Sequence, residues 1–91
     1  MAEVTIYTGF ACGFCARAKQ LLKLKGAEFK EISVSLDAKV RAEMTARASG
    51  ARSVPQIFID DLHVGGCDEL YDLERAGELD QLLGLETSED V

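Results

Sequence analysis

The chain has 91 residues, of which 47% are hydrophobic and 29% charged, a balance that fits one small folded domain and excludes both a disordered tail and two domains of ordinary size. Its formal net charge of -6 excludes a phosphate-binding surface built on lysine and arginine, and with it DNA or RNA as partners. The start "MAEVTIYT" has no basic leader followed by an apolar run, and no segment approaches the ~18 apolar residues of a membrane span, so no membrane association and a cytoplasmic location are expected.

In "EVTIYT", residues 3–8, Val4 and Ile6 alternate with Thr5 and Tyr7, all strand-favouring types, which predicts a first strand. Apolar residues then recur at Phe14, Ala18, Leu21 and Leu22, the stripe of an amphipathic helix ended by Gly26. "EFKEISV" reads as a second strand; Phe29 is out of phase with Ile32 and Val34, which implies either a bulge or burial on both faces. Asp37 is placed to cap a helix carrying Val40, Met44 and Ala48, stopped at Gly50. "QIFID" and "LHV" form two short strands around Asp60 and Asp61, a hairpin. "GGC" opens a last helical stretch through Leu70, Leu73, Leu79, Leu82 and Leu83, interrupted near Gly77. Residues 1–85 thus form one domain, and the acidic, apolar-poor "ETSEDV", 86–91, is expected to be frayed. The order β-α-β-α-β-β-α predicts an α/β fold with a four-stranded mixed sheet flanked by helices, and a parallel first pair leaves the loop before Cys12 at the carboxyl end of its strand.

Cys12, Cys15 and Cys67 are three cysteines, an odd number that fits poorly with a fully paired secreted scaffold. Cys12 and Cys15 sit two residues apart where a strand hands over to a helix. A thiolate is the attacking species in disulfide chemistry, and the first turn of a helix stabilises one with unpaired N–H groups and a positive dipole end. Cys12 is therefore the candidate nucleophile and Cys15, one turn on and more covered, the resolving thiol. Gly13 leaves the approach to the sulfur open and Phe14 offers an apolar flank. A zinc set of Cys12, Cys15, His63 and Cys67 is the competing reading. The 47 residues between Cys15 and His63 (16 to 62) read as regular elements instead of a zinc loop, and His63 reads as an ordinary solvent-facing strand residue.

"CGFC", "SVPQIFID" and "HVGGCDEL", in that order within one domain, resemble the glutaredoxins, and the small bacterial dithiol type in particular; the likeness runs from about Val4 to Leu83. The resemblance implies a thioredoxin-like fold with Pro55 in the cis form; the residues alone also allow a strand-start proline. It further implies that Ser53, Val54 and Pro55 hold the cysteinyl part of glutathione beside Phe14, and that Gly66, Cys67 and Asp68 hold its γ-glutamyl end. Amides at a helix start suit a carboxylate, and Asp68 can pair an ammonium or cap the helix. Cys67 reads as a small buried residue.

The chain departs from the family pattern at Gly13, where many members carry proline, and at Gly9, where many carry a lysine that pairs a glutathione carboxylate. Arg41, with Arg52 behind it, is the candidate replacement cation, against a plain solvated helix face. The resemblance implies a monomeric, glutathione-dependent disulfide oxidoreductase. Its partners would be glutathione, glutathionylated or disulfide-containing proteins and the glutathione reductase system. The alternative is a cluster carrier or redox sensor: a dimer that shares a [2Fe-2S] cluster, with Cys12 as this chain's ligand.

Overall fold

The computed structural model describes residues 2–85; the acidic segment 86–91, expected to be frayed, lies outside the described residues. Four strands form one sheet in the order β2-β1-β3-β4. β1 (Val4–Thr8) and β2 (Lys30–Ser33) are parallel, joined through α1 (Gly13–Leu24). β3 (Gln56–Ile59) runs antiparallel to β1 and to β4 (Leu62–Gly65), with α2 (Ala38–Arg47) lying between β2 and β3 in sequence. The expected thioredoxin-like mixed sheet is thus present, with every strand end within two residues of the sequence reading.

Both faces of the sheet are covered, which explains the phase problem in the second strand. Val4, Ile6, Ile57 and Ile59 pack with Ala18, Leu21, Leu22, Leu70, Leu79 and Leu83 on one face. Tyr7, Val34 and Phe58 pack with Met44 and Ala48 of the α2 segment on the other. Phe29 packs against the first cluster and Ile32 against the second, so this largely exposed outer strand sends half-buried apolar side chains to both faces, with no register shift against β1. The bulge falls elsewhere, between Ile57 and Phe58 where β3 meets β4.

The last helical stretch is two helices, α3 (Cys67–Arg75) and α4 (Leu79–Leu83). Gly77 separates them at φ 75. Its N–H and that of Glu78 close back on the carbonyls of Glu74 and Leu73 at 3.0 and 2.9 Å, a Schellman closure that needs a left-handed residue. Lys25, just past α1, pairs Glu74 and Asp80 at 2.7 Å each and so ties three helices at the end remote from the cysteines. Asp37 caps α2 as the sequence predicts, accepting from the N–H groups of Lys39 and Val40 at 2.9 and 3.4 Å.

Candidate functional site

The carboxyl end of β1 delivers the chain through Gly9, Phe10 and Ala11 to Cys12. This loop is held by Ser35, whose hydroxyl accepts the N–H of Phe10 at 2.8 Å. A Cβ on Gly9 would lie 3.3 Å from both Ser35 Oγ and Val54 Cγ2, so the side chain missing at position 9 leaves room for the loop to nest between those residues. Ala11 takes a left-handed φ of 52, uncommon for a residue with a Cβ. That turn brings Cys12 to the N-cap of α1, where its Sγ accepts the N–H of Cys15 at 3.1 Å.

Cys12 and Cys15 are joined by a disulfide, with 5.2 Å between their Cα atoms. Cys15 is 3% exposed, whereas Cys12 is half-buried and the neighbouring Gly13 has open space where a Cβ would stand. The outer sulfur is the one a substrate reaches first. Phe10 and Phe14 are exposed on the same loop and helix start.

The Val54–Pro55 peptide bond is cis, and the carbonyl oxygen of Val54 lies 3.8 Å from Cys12 Sγ. Beside it is a cleft of about 210 Å³ lined by Phe14, Ser53, Val54, Pro55, Gly66, Cys67, Asp68 and Glu69. Seven of these eight are residues singled out in the sequence; Glu69 is the addition. Its Oε1 accepts the N–H of Gly66 at 2.7 Å, one half of a capping box whose other half a glycine cannot supply. Gly66 is the N-cap of α3, so Asp68, for which capping was an alternative, stands inside the first turn with its carboxylate free of that duty. Gly65 has φ 114, and a Cβ there would lie 3.0 Å from Glu69 Oε1; backbone conformation and space both require glycine.

Arg41 is not part of the lining. Its Nη1 donates to the carbonyl of Arg52 at 3.0 Å, bracing the chain one residue before Ser53. Cys67 is a free thiol, 5% exposed, and burial pushes its pKa up. His63 does not stand in solvent. Its ring is half-buried, stacked 4.9 Å from Phe58, and its Nε2 is 2.6 Å from Gln56 Oε1. Among the described residues no group of three or more His, Cys, Asp or Glu side chains is arranged to hold a metal ion.

A mixed sheet whose first βα turn presents a cysteine pair opposite a cis-proline segment defines a thioredoxin-like thiol-disulfide oxidoreductase. The glutaredoxin family profile matches residues 4–64. Glutaredoxin 3 of Escherichia coli strain K12 is 53% identical over 83 residues, covering 91% of this chain and 99% of the relative. The solution structure of glutaredoxin from Brucella melitensis superposes with a TM-score of 0.80 at 58% identity, covering 91% of this chain and 89% of that one. The crystal structure of a buckwheat glutaredoxin-glutathione complex gives 0.81 at 30% identity, covering 91% and 77%. The chain belongs to the glutaredoxin family. No helix of the described residues is long and apolar enough to cross a membrane.

Proposed function

We propose that the protein is a glutathione-dependent disulfide oxidoreductase acting on glutathionylated and disulfide-containing proteins in the cytoplasm as a monomer, with its electrons supplied through glutathione and glutathione reductase. The observation that carries this reading is the Cys12 sulfur on the α1 N-cap, 3.8 Å from the Val54 carbonyl and beside a cleft ending at the α3 N-terminus. Ser53, Val54 and Pro55 flank the reacting sulfur, where the cysteinyl backbone of a tripeptide would lie. Gly66 lets a ligand approach the backbone closely, while Cys67 and Asp68 supply amides for a carboxylate and Asp68 a carboxylate for an ammonium, the chemistry of a γ-glutamyl end. The glutathione complex of the buckwheat relative supports the same ligand. Phe14 offers an apolar wall, and Arg41 acts by holding Arg52.

In the reaction, the Cys12 thiolate attacks the glutathione sulfur of a mixed disulfide. A new Cys12–glutathione bond forms as the old S–S bond breaks, and the protein substrate leaves as a thiolate that takes a proton from solvent. A second glutathione thiolate then attacks the sulfur of the bound glutathione, releasing glutathione disulfide and the Cys12 thiolate. With a protein disulfide, Cys12 is first joined to the target, and Cys15 resolves that bond to give the Cys12–Cys15 disulfide. The test is a glutathione-reductase-coupled assay with the mixed disulfide of cysteine and glutathione. Wild type and Cys15→Ser turn over and Cys12→Ser does not; retained turnover in Cys12→Ser overturns the assignment. Cluster binding would draw one thiolate from this chain, one from a second copy and one from each of two glutathiones. A visible absorption band after anaerobic purification is the outcome that would favour it.

A further inference from the structure

All four residues of β3 are buried, yet the first, Gln56, carries an amide and is only 4% exposed. Burying an amide is unfavourable unless its polar atoms find partners. Nε2 donates to the carbonyl oxygen of Ser53 at 3.0 Å and to its hydroxyl at 3.2 Å. Oε1 faces His63 Nε2 at 2.6 Å. An amide oxygen only accepts, so His63 is the donor in that contact, and this fixes which way the amide points. The imidazole is itself held against Phe58, whose ring also carries the Arg47 guanidinium carbon 4.1 Å from its centroid.

We propose that Gln56 and His63 are positioning residues of the redox site, forming a hydrogen-bond chain that runs from β4 through β3 into the floor of the cleft. His63 turns the Gln56 oxygen toward itself and the NH2 toward Ser53. The Ser53 hydroxyl accepts there, which leaves its own proton to be donated into the cleft that Ser53 lines. The same amide clamps the Ser53 carbonyl, and so holds in place the Val54 carbonyl beside Cys12 Sγ. Neither side chain lines the cleft; both act through Ser53 and Val54. The inference rests on the glutathione reading in one respect, that Ser53 and Val54 are the substrate's contacts.

The test compares wild type with Gln56→Met, His63→Phe and His63→Gln. KM and kcat are measured for the mixed disulfide of cysteine and glutathione, together with Cys12 alkylation by iodoacetamide and 15N relaxation at Ser53 and Val54 in the ligand-free protein. His63→Phe keeps a ring on Phe58 but loses the donor, and His63→Gln keeps an N–H donor. Gln56→Met and His63→Phe raise KM about tenfold, the scale of one or two lost hydrogen bonds, with kcat and alkylation within about twofold of wild type and less order at Ser53 and Val54. His63→Gln returns KM to within about threefold. An unchanged KM in His63→Phe, a kcat and alkylation rate that fall together with it, or a segment as rigid as in wild type overturns the proposal. Should Gln56→Met fail to fold, His63→Phe decides alone. If wild type itself does not saturate with this substrate, the glutathione reading fails, and the relaxation data still decide whether the chain orders residues 53 and 54.

Discussion

The backbone N–H of Cys15 donates to the sulfur of Cys12 across 3.1 Å. This contact is the N-cap of α1, made by a cysteine in place of the usual serine or aspartate. Once the disulfide is reduced, that N–H and the helix dipole favour negative charge on Cys12. The pH dependence of iodoacetamide alkylation of Cys12 is therefore expected to show a midpoint well below the ~8.5 of an ordinary thiol. A midpoint at the ordinary value would refute the capping argument.

Cys67 is expected to behave in the opposite way. It is 5% exposed and its thiol is pushed up by burial, against which Arg17 acts in the lowering direction. The reduced native protein should release two equivalents of thionitrobenzoate rapidly with Ellman's reagent, one as Cys12 attacks it and one as Cys15 displaces the resulting mixed disulfide, and the third only in denaturant. Three rapid equivalents would mean that Cys67 opens to solvent.

Glu31 links acid stability to the segment that leads into the site. Its carboxylate accepts from the Thr8 hydroxyl at 2.8 Å and from Lys19 at 3.1 Å. The Thr8 hydrogen bond first, and Lys19 second, hold its pKa below the usual 4.5. A depressed carboxyl adds stability that is fully present above the unfolded-state pKa and disappears as pH falls through the folded one. Glu31→Gln should lower the urea midpoint by a constant amount above about pH 4.5 and flatten its fall below that pH, so that the two proteins converge in acid. An unchanged slope in the acid range would show that the contact does not persist in solution.

Ala11 holds a left-handed φ of 52 immediately before the nucleophile. A Cβ there costs roughly 1 kcal/mol, part of which a glycine gives back through greater freedom of the unfolded chain. Ala11→Gly is expected to raise stability by up to about 0.5 kcal/mol, and Ala11→Val to lower it by about 1 kcal/mol or more, by urea denaturation of the oxidised protein. A stabilising valine would show that the loop relaxes out of this conformation.

The sequence resolves the site better than its surroundings. "CGFC" after a strand, and "GGC" opening a helix, carry local signals because each depends on backbone groups that neighbouring residues define. Ser53, Val54, Pro55, Gly66, Cys67 and Asp68 line the cleft as the motifs imply, while Arg41 does not, because its guanidinium finds the Arg52 carbonyl first. That preference depends on how α2 lies against the loop, which periodicity does not encode. His63 looked solvent-facing because alternation assigns a face without saying what covers it, and here Phe58 and Gln56 do. Glu69 carried a signal that went unused, an acid three residues beyond the helix-capping glycine. The out-of-phase second strand was informative in the sense allowed: opposite parity placed Phe29 and Ile32 in different clusters.

The two outer strands of the sheet, β2 and β4, are four residues each. Lys30 and Glu31 put charge along one margin, and the register slip opposite β4 with a left-handed Gly65 disturbs the other. Neither margin offers a long, flat template for another chain's backbone. Self-association into fibrils is disfavoured by these short, charged or interrupted margins, whatever the oxidation state of the cysteine pair.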